Sequence, residues 1–356
     1  MRIERLEIVP YALHFKQPYV TARGRLERRE LALVRLWTDE GLLGLGEAAP
    51  LVLRGATRLE AVVSDLERCR PLLEGKMLDP ADWTSPANAC AAATLLPPAV
   101  AAVETALLDI AGKSSGRPAW SVLGASLARP VACNATLVAA EPARVADDAL
   151  RWAERGFRTF KLKVGVDGDV EQALAVREAV GAGARIRLDA NGMWSRGQAL
   201  ATLGALEALA IELVEQPVAS LDDMVAVRKR VTIPVAADES VSSPEEARHA
   251  VLAGACDLAT VKIAKVGGIL AGQAVALELP VYLSSALDGP VGIAAAAHLA
   301  QVLPDAGLAH GLATAELFDG TIASRESAVV DAALTPSEAP GIGVEIDERA
   351  LERCRI

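Results

Sequence analysis

"TFKLKVG", residues 159–165, alternates two lysines with large apolar residues and ends in a glycine. A period of two reads as a β-strand, and it puts Lys161 and Lys163 on one face. Lysine is scarce in this chain. Of 36 Lys+Arg only eight are Lys, at 16, 76, 113, 161, 163, 229, 262 and 265. Half of them fall in two short apolar segments, 161–163 and 262–265. A buried ammonium is costly unless it is paired. Arginine neutralises carboxylates at least as well, and the chain uses it freely. Arginine does not release a proton in a protein, whereas a crowded, partly desolvated lysine does. The choice of lysine points to places where a proton moves.

The same texture extends in both directions. From about residue 130, short β-rich runs alternate with helical stretches: "VACNATLV", "TFKLKVG", "RIRLDANG", "IELVEQP", "PVAADES", "LATVKIAKVGG", "PVYLSSALDG" and "HGLATAELF". Strand–helix alternation predicts parallel βαβ units. Polar residues recur at steps of 26, 26, 23 and 24 (163 to 189, 215, 238 and 262). Eight such strands predict a closed α/β barrel, whose function sits where the strands end. An open doubly wound sheet is the alternative, but no Gly-rich dinucleotide loop accompanies it. Asp189 precedes "ANG", Glu215 precedes "QP" and Asp238 precedes "ES". Buried parallel strands should be almost wholly apolar. Any one acid reads equally as a helix cap or a solvated strand end. Three at one phase of the repeat make an oxygen-only site suited to Mg²⁺, with Mn²⁺ as a substitute.

Residues 1–50 read as a strand meander with "TDEG" (38–41) as its last turn, and "KQPYVTARGRLERRE" (16–30) as a polar, basic loop. Helical periodicity covers 57–75 and 98–114, the latter opening on a Pro pair and ending near Gly112. The 356 residues carry 52% apolar side chains, 3% aromatics and a net charge of −10. Such an acidic surface disfavours nucleic acid and anionic membranes as partners. The five cysteines (69, 90, 133, 256, 354) are scattered and read as free thiols in a reducing compartment. With no apolar leader in "MRIERLEIVP" and no run of 18 apolar residues, a cytoplasmic location is expected.

"KLK", "DANG", "EQP", "ADES" and "VKIAKVGG", in this order and spacing, resemble the muconate-lactonizing subgroup of the enolase superfamily. The resemblance spans nearly the whole chain. It implies a (β/α)7β TIM-type barrel at 96–321 and an α+β capping domain at 1–95, completed by about 322–356. It further implies Mg²⁺ on Asp189, Glu215 and Asp238, and Lys163 and Lys262 as acid/base lysines. Lys161 would support Lys163, and Asn191 and Glu239 would stand behind the metal ligands. A lysine base with Mg²⁺ at an enediolate is the superfamily's general pattern. Lys265 does not fit the lysine spacing of the motif and reads as a loop or phosphate-type contact, more exposed than buried.

The histidines are His14, His249, His298 and His310. None ends the seventh strand, where the mandelate-racemase subgroup would carry its base. His298 lies on an apolar helix and reads as core. His310 opens the eighth strand, where it is within possible reach of the site. That strand lacks the Asp-x-Asp pattern of dipeptide epimerases. "LSSALDGPVG" followed by "HGLAT" is similar to the o-succinylbenzoate synthases of menaquinone biosynthesis, which implies Ser284, Ser285 and Gly311 against the substrate. Ala313 stands where many of these carry Asp. The implied reaction is a lyase step: Lys163 takes the α-proton of a 2-succinyl-6-hydroxy-cyclohexadiene-1-carboxylate, and syn loss of the β-hydroxyl leaves an aromatic ring. Arg23, Arg25 or Arg54 would meet the distal carboxylate. N-acylamino acid racemase, dipeptide epimerase and muconate cycloisomerase are the enzymatic alternatives; a silent metal-binding barrel is the non-enzymatic one. The partner is then a small carboxylate, and a homo-oligomer is compatible with the Ala- and Leu-rich surface.

Overall fold

The computed structural model describes residues 1–54, 57–93 and 96–356, with Arg54 described by its backbone alone. The chain opens with three antiparallel strands, β1 (Ile3–Thr21), β2 (Gly24–Thr38) and β3 (Leu43–Ala48), in the order β1-β2-β3. The expected loop at 16–30 is instead the far end of the β1–β2 hairpin, and pairing continues to Thr21↔Gly24 across a register shift between His14 and Tyr19. Polar residues extend there because much of the tip is exposed on its outer face, while Tyr19 and Thr21 face inward. The turn at "TDEG" forms as read, with Gly41 at φ 79° and its N–H on Thr38 O.

Helices α1 (Leu59–Leu73), α2 (Thr84–Ala93) and α3 (Pro97–Ser115) follow. α3 is buried along almost its whole length and ends at Gly116 (φ 67°), one turn beyond Gly112. It lies directly on β3. A Cβ on Gly46 would stand 1.9 Å from Ala102 O, so only glycine lets the two backbones approach.

α4 (Ala119–Val122) and β4 (Val131–Ala132) lead into the barrel. Its seven parallel strands are β5 (Ala135–Leu137), β6 (Thr159–Lys163), β7 (Arg185–Asp189), β8 (Ile211–Glu215), β9 (Val235–Ala237), β10 (Leu258–Val261) and β11 (Val281–Leu283), paired in strict sequence order. Between them run α5 (Pro142–Glu154), α6 (Asp169–Val180), α7 (Arg196–Leu206), α8 (Leu221–Arg228), α9 (Pro244–Ala253), the short α10 (Ile263–Val266) and α11 (Ile269–Glu278); α12 (Pro290–Ala300) follows β11. The eighth strand is reduced to parallel bridges, Cys133↔His310 on one side and Ser284↔Gly311 on the other, before the chain turns into a 3₁₀ helix at Ala313–Leu317. Those two residues close the barrel. Beyond them, β12 (Ala323–Arg325) pairs with β15 (Glu345–Ile346), β13 (Val329–Val330) and β14 (Ala333–Leu334) join β4, and α13 (Glu348–Cys354) ends the chain. All five cysteines are free. No helix among the described residues is long and apolar enough to cross a membrane.

Candidate active site

Register assembles the site. β6 pairs with β7 so that Lys163 is opposite Asp189, and β7 pairs with β8 so that Asp189 is opposite Glu215. Because i and i+2 share a face, Lys161 and Lys163 both point into the barrel, and Phe160 and Leu162 pack outward. Asp238 follows β9 and Lys262 follows β10. Asp189, Glu215 and Asp238 are completely buried, and the four lysines 161, 163, 262 and 265 are at most 6% exposed.

The side chains interlock. Lys161 Nζ lies 2.6 Å from Glu215 Oε2 and 2.9 Å from Asp189 Oδ2. Lys163 Nζ donates to Asp189 Oδ2 at 2.6 Å and to Asn191 Oδ1 at 3.2 Å. Lys262 Nζ donates to Asp238 Oδ2 at 2.7 Å. Asn191, at φ 48°, also donates through Nδ2 to Glu239 Oε1 at 3.2 Å, so both predicted supporting residues stand beside the ring. Burial pushes the lysines down, but the neighbouring acidic groups, Asp189 foremost, together outweigh it and hold Lys161 and Lys163 above the ordinary lysine range. Burial would raise Asp189, but Lys161, Lys163 and Lys262 together hold it well below the usual carboxylate range. Glu215 is raised, by burial first and by Asp189 next.

Lys265 corrects the sequence reading. It is 3% exposed, not solvated. Its Nζ bonds Asp238 Oδ1 at 3.0 Å, Thr260 O at 2.8 Å and Asp238 O. The reason is local. Lys262 ends the strand and α10 begins at once, so a residue three further on returns beneath the strand end rather than leaving it.

Above the ring a cleft opens against the hairpin. Lys161, Lys163, Lys262, Asn191, Ser284 and Ser285 line it from the barrel, and Tyr19, Arg23, Leu26, Arg29 and residues 50–53 line it from the N-terminal side. Ser285 Oγ contacts Thr314 Oγ1 and accepts from Leu287 N at 3.1 Å. Gly311 sits behind Ser284, where a Cβ would meet Ser284 Oγ at 2.6 Å. Arg23 reaches Asn191 O at 2.8 Å. Arg25 does not line the cleft; it is exposed and paired with Glu27 at 2.8 Å. Alternation explains this, since its neighbour Leu26 takes the inward side. The Arg54 side chain lies outside the described residues. His310 turns away from the cleft, its Nδ1 accepting from Leu283 N at 2.8 Å, and burial lowers it to about 4. His298 is core, bonded to Trp120 N and Ile342 O. Thr314, Arg29 and Tyr19 were not singled out from sequence. Thr314 alone had a signal there, as the last residue of "HGLAT".

No three acidic, histidine or cysteine side chains among the described residues close into a finished metal cage. Lysine ammonium groups lie between the carboxylates instead. The donor set nevertheless fits a hard divalent cation. It is oxygen-only, and Glu215 Oε1 is buried with no hydrogen-bond partner, an expensive state for a carboxylate oxygen unless a cation takes it up.

Residues 4–124 match the mandelate racemase / muconate lactonizing enzyme N-terminal domain, and residues 144–350 match the enolase C-terminal domain-like family. A hydrophobic dipeptide epimerase of Enterococcus faecalis is 30% identical over 97% of this chain and 99% of its own length. An o-succinylbenzoate synthase of Mycobacterium ulcerans is 42% identical, over 57% of this chain and 63% of its own. The muconate lactonizing enzyme of Pseudomonas fluorescens, solved with muconolactone, superposes with a TM-score of 0.95 at 28% identity, over 100% of this chain and 99% of that one. A dipeptide epimerase of Enterococcus faecalis, solved with Mg and L-Leu-L-Tyr, superposes with a TM-score of 0.92 at 28% identity, over 97% of this chain and 100% of that one. In both halves of its sequence and in its fold, the chain belongs to the enolase superfamily, in its muconate-lactonizing-enzyme subgroup.

Proposed function

We propose that this protein is a Mg²⁺-dependent o-succinylbenzoate synthase. The observation that carries the reading is the charge of the cleft. The described residues lining it include Arg23, Arg29, Lys161, Lys163 and Lys262, and not one of them is acidic. A dipeptide brings an α-ammonium that needs a carboxylate near the reacting centre, and the three acids of the ring lie beneath the lysines, engaged with them. A substrate bearing two carboxylates and no ammonium suits these walls.

Asp189, Glu215 and Asp238 would hold Mg²⁺, which when bound supplies a dication for the charge that develops on the substrate carboxylate. Lys163 takes the α-proton onto Nζ. With Asp189 engaged in cation binding, burial and the neighbouring Lys161 are left to lower Lys163 toward a working base. Lys262 offers its ammonium from the opposite wall, four strands away, to the enediolate. Lys163 returns its proton to the departing β-hydroxyl, which leaves as water, and the ring becomes aromatic. Asn191 and Glu239 orient Lys163 and Arg23; Ser284, Ser285 and Gly311 shape the barrel wall, and Arg23 is the cation nearest a distal carboxylate. Residues 1–95 with 322–356 would form the capping unit over a barrel of 96–321, in a reducing, cytoplasmic setting supported by the free cysteines.

A second reading, N-acylamino acid racemase, is favoured by one fact: Lys163 and Lys262 both line the cleft from well-separated strands, as two-face proton transfer requires. ¹H NMR in D₂O with Mg²⁺ separates the readings. Rapid conversion of the cyclohexadiene carboxylate, with N-succinyl amino acids and dipeptides undeuterated, is expected. Efficient α-deuteration and loss of optical activity in N-succinyl amino acids would make racemisation the function. Turnover of dipeptides alone would overturn the argument from cleft charge.

A further inference from the structure

One layer below the acid ring lies a second, partly aromatic layer. Tyr282, on β11, precedes Ser284 just past the strand end by two, and Arg187 precedes Asp189 by two on β7, so both point into the barrel. Both are fully buried. The register of β7 on β8 shifts between Ile186↔Ile211 and Arg187↔Leu213, and Glu212 is the residue left over. The shift turns Glu212 toward the Arg187 guanidinium, which it meets through Oε2 at 2.5 Å. Arg187 NH1 also donates to Ala309 O at 2.7 Å, and its guanidinium stacks 4.7 Å from the Tyr282 ring centroid. The ring is thereby fixed, and its hydroxyl donates to Glu215 Oε2.

We infer that Tyr282 is a positioning residue that decides which oxygen of Glu215 faces the cation. The inference rests on the metal reading above. Oε2 takes two donors, Tyr282 and Lys161, while the buried Oε1 takes none. Lys161 cannot make that choice alone, because it is shared with Asp189 at 2.9 Å. The Tyr282 hydroxyl is rigid, lies at the base of the ring and acts on Glu215. Rotating the carboxylate to present Oε2 would break both bonds at once. Outer-layer partners of this sort commonly change metal affinity by about 10–100-fold when removed.

The test is isothermal titration of the purified protein with MgCl₂, comparing wild type with Tyr282→Phe, which keeps the ring and its stack on Arg187. Mg²⁺ affinity should fall about tenfold. The Mg²⁺ concentration for half-maximal activity should rise in parallel, while turnover at saturating Mg²⁺ stays within a fewfold and the melting temperature stays put. A purely structural role would lower the melting temperature and leave Mg²⁺ affinity alone. Arg187→Lys, which withdraws the planar stack but keeps a charge, is the second variant should the first fail to fold, and it should weaken Mg²⁺ in the same direction. Wild-type binding with unchanged affinity in the folded variants overturns the role of Tyr282 alone. No Mg²⁺ binding by wild type overturns the metal reading and this inference with it.

Discussion

The two lysine pairs, 161/163 and 262/265, do similar work on different backbones. In each pair one lysine is the main grip on the acids and the other is the candidate for proton chemistry; Lys161, Lys163 and Lys262 line the cleft, and Lys265 lies beneath it. Lys161 bridges Asp189 and Glu215 while Lys163 reaches Asp189 and Asn191. Lys265 holds Asp238 and the Thr260 carbonyl from below while Lys262 meets Asp238 from the cleft. The first pair uses the two-residue repeat of a strand, the second a strand end followed by a helical turn. Spacing therefore predicts which face a side chain takes only once the local backbone is known.

The sharpest way to break this comparison is to remove Lys163 and Lys262 separately. Lys163→Ala should lower turnover by about 10²–10⁴-fold, the range of a general base, with fold and Mg²⁺ binding retained. Lys262→Ala should also slow turnover. The two differ in α-proton exchange measured by NMR in D₂O. If Lys163 alone moves the proton, exchange disappears in Lys163→Ala and survives, slowed, in Lys262→Ala. Exchange of opposite enantiomers of an N-succinyl amino acid in the two variants would instead make the lysines equivalent bases, the racemase case. A tenth of wild-type turnover left in Lys163→Ala would end its assignment as the base.

The lysine that grips from below should matter for folding more than for chemistry. Lys265→Met leaves a buried Asp238 oxygen and two carbonyls without this ammonium. Breaking a buried pair on one side costs about 3–5 kcal/mol, so urea unfolding should show a loss of that order. A loss under 1 kcal/mol would mean that Lys265 is as dispensable as the exposed contact its spacing suggested.

That misreading shows where the sequence was legible. Asp189, Glu215 and Asp238 could be seen because each breaks an apolar run at the same phase of a repeat, and the register then set the first two side by side with Lys163. Lys161 and Lys163 were legible because strand alternation is unambiguous. Lys265 was not, because nothing in "VKIAKVGG" marks where strand becomes helix. The hairpin tip at 16–30 was hidden by its polar outer face, and in a segment read as a loop no alternation was there to show that Arg25 points outward. The closing strand shrank to His310 and Gly311 because the chain needs only two bridges before turning away. The layer of Tyr282, Arg187 and Glu212 was invisible, since it depends on a register shift that no spacing announces.

Buried acids elsewhere sharpen the contrast by pH. The ring acids face lysines, and Asp189 is held low. Glu104, on α3, caps the start of α11 instead, accepting from Ile269 N and from Leu270 N at 3.0 Å. Burial raises it from 4.5 to about 7, against the pull of those two amides. The sign follows. Below pH 4.5 folded and unfolded chains both hold the proton. Between 4.5 and 7 the unfolded chain loses it and the folded chain keeps it, so this group lowers stability as pH rises, with no further change above 7. Over that span one such group amounts to about 3 kcal/mol. Asp189 has the opposite sign, adding stability above the ordinary carboxylate range. Glu104→Gln keeps the acceptor oxygen and removes the titration. Urea unfolding from pH 5 to pH 8 should show the variant gaining on wild type as pH rises, by up to that amount. A difference that stays constant with pH would mean that Glu104 titrates like a solvated carboxylate, and the contrast between acids that face lysines and acids that face amides would lose its energetic content.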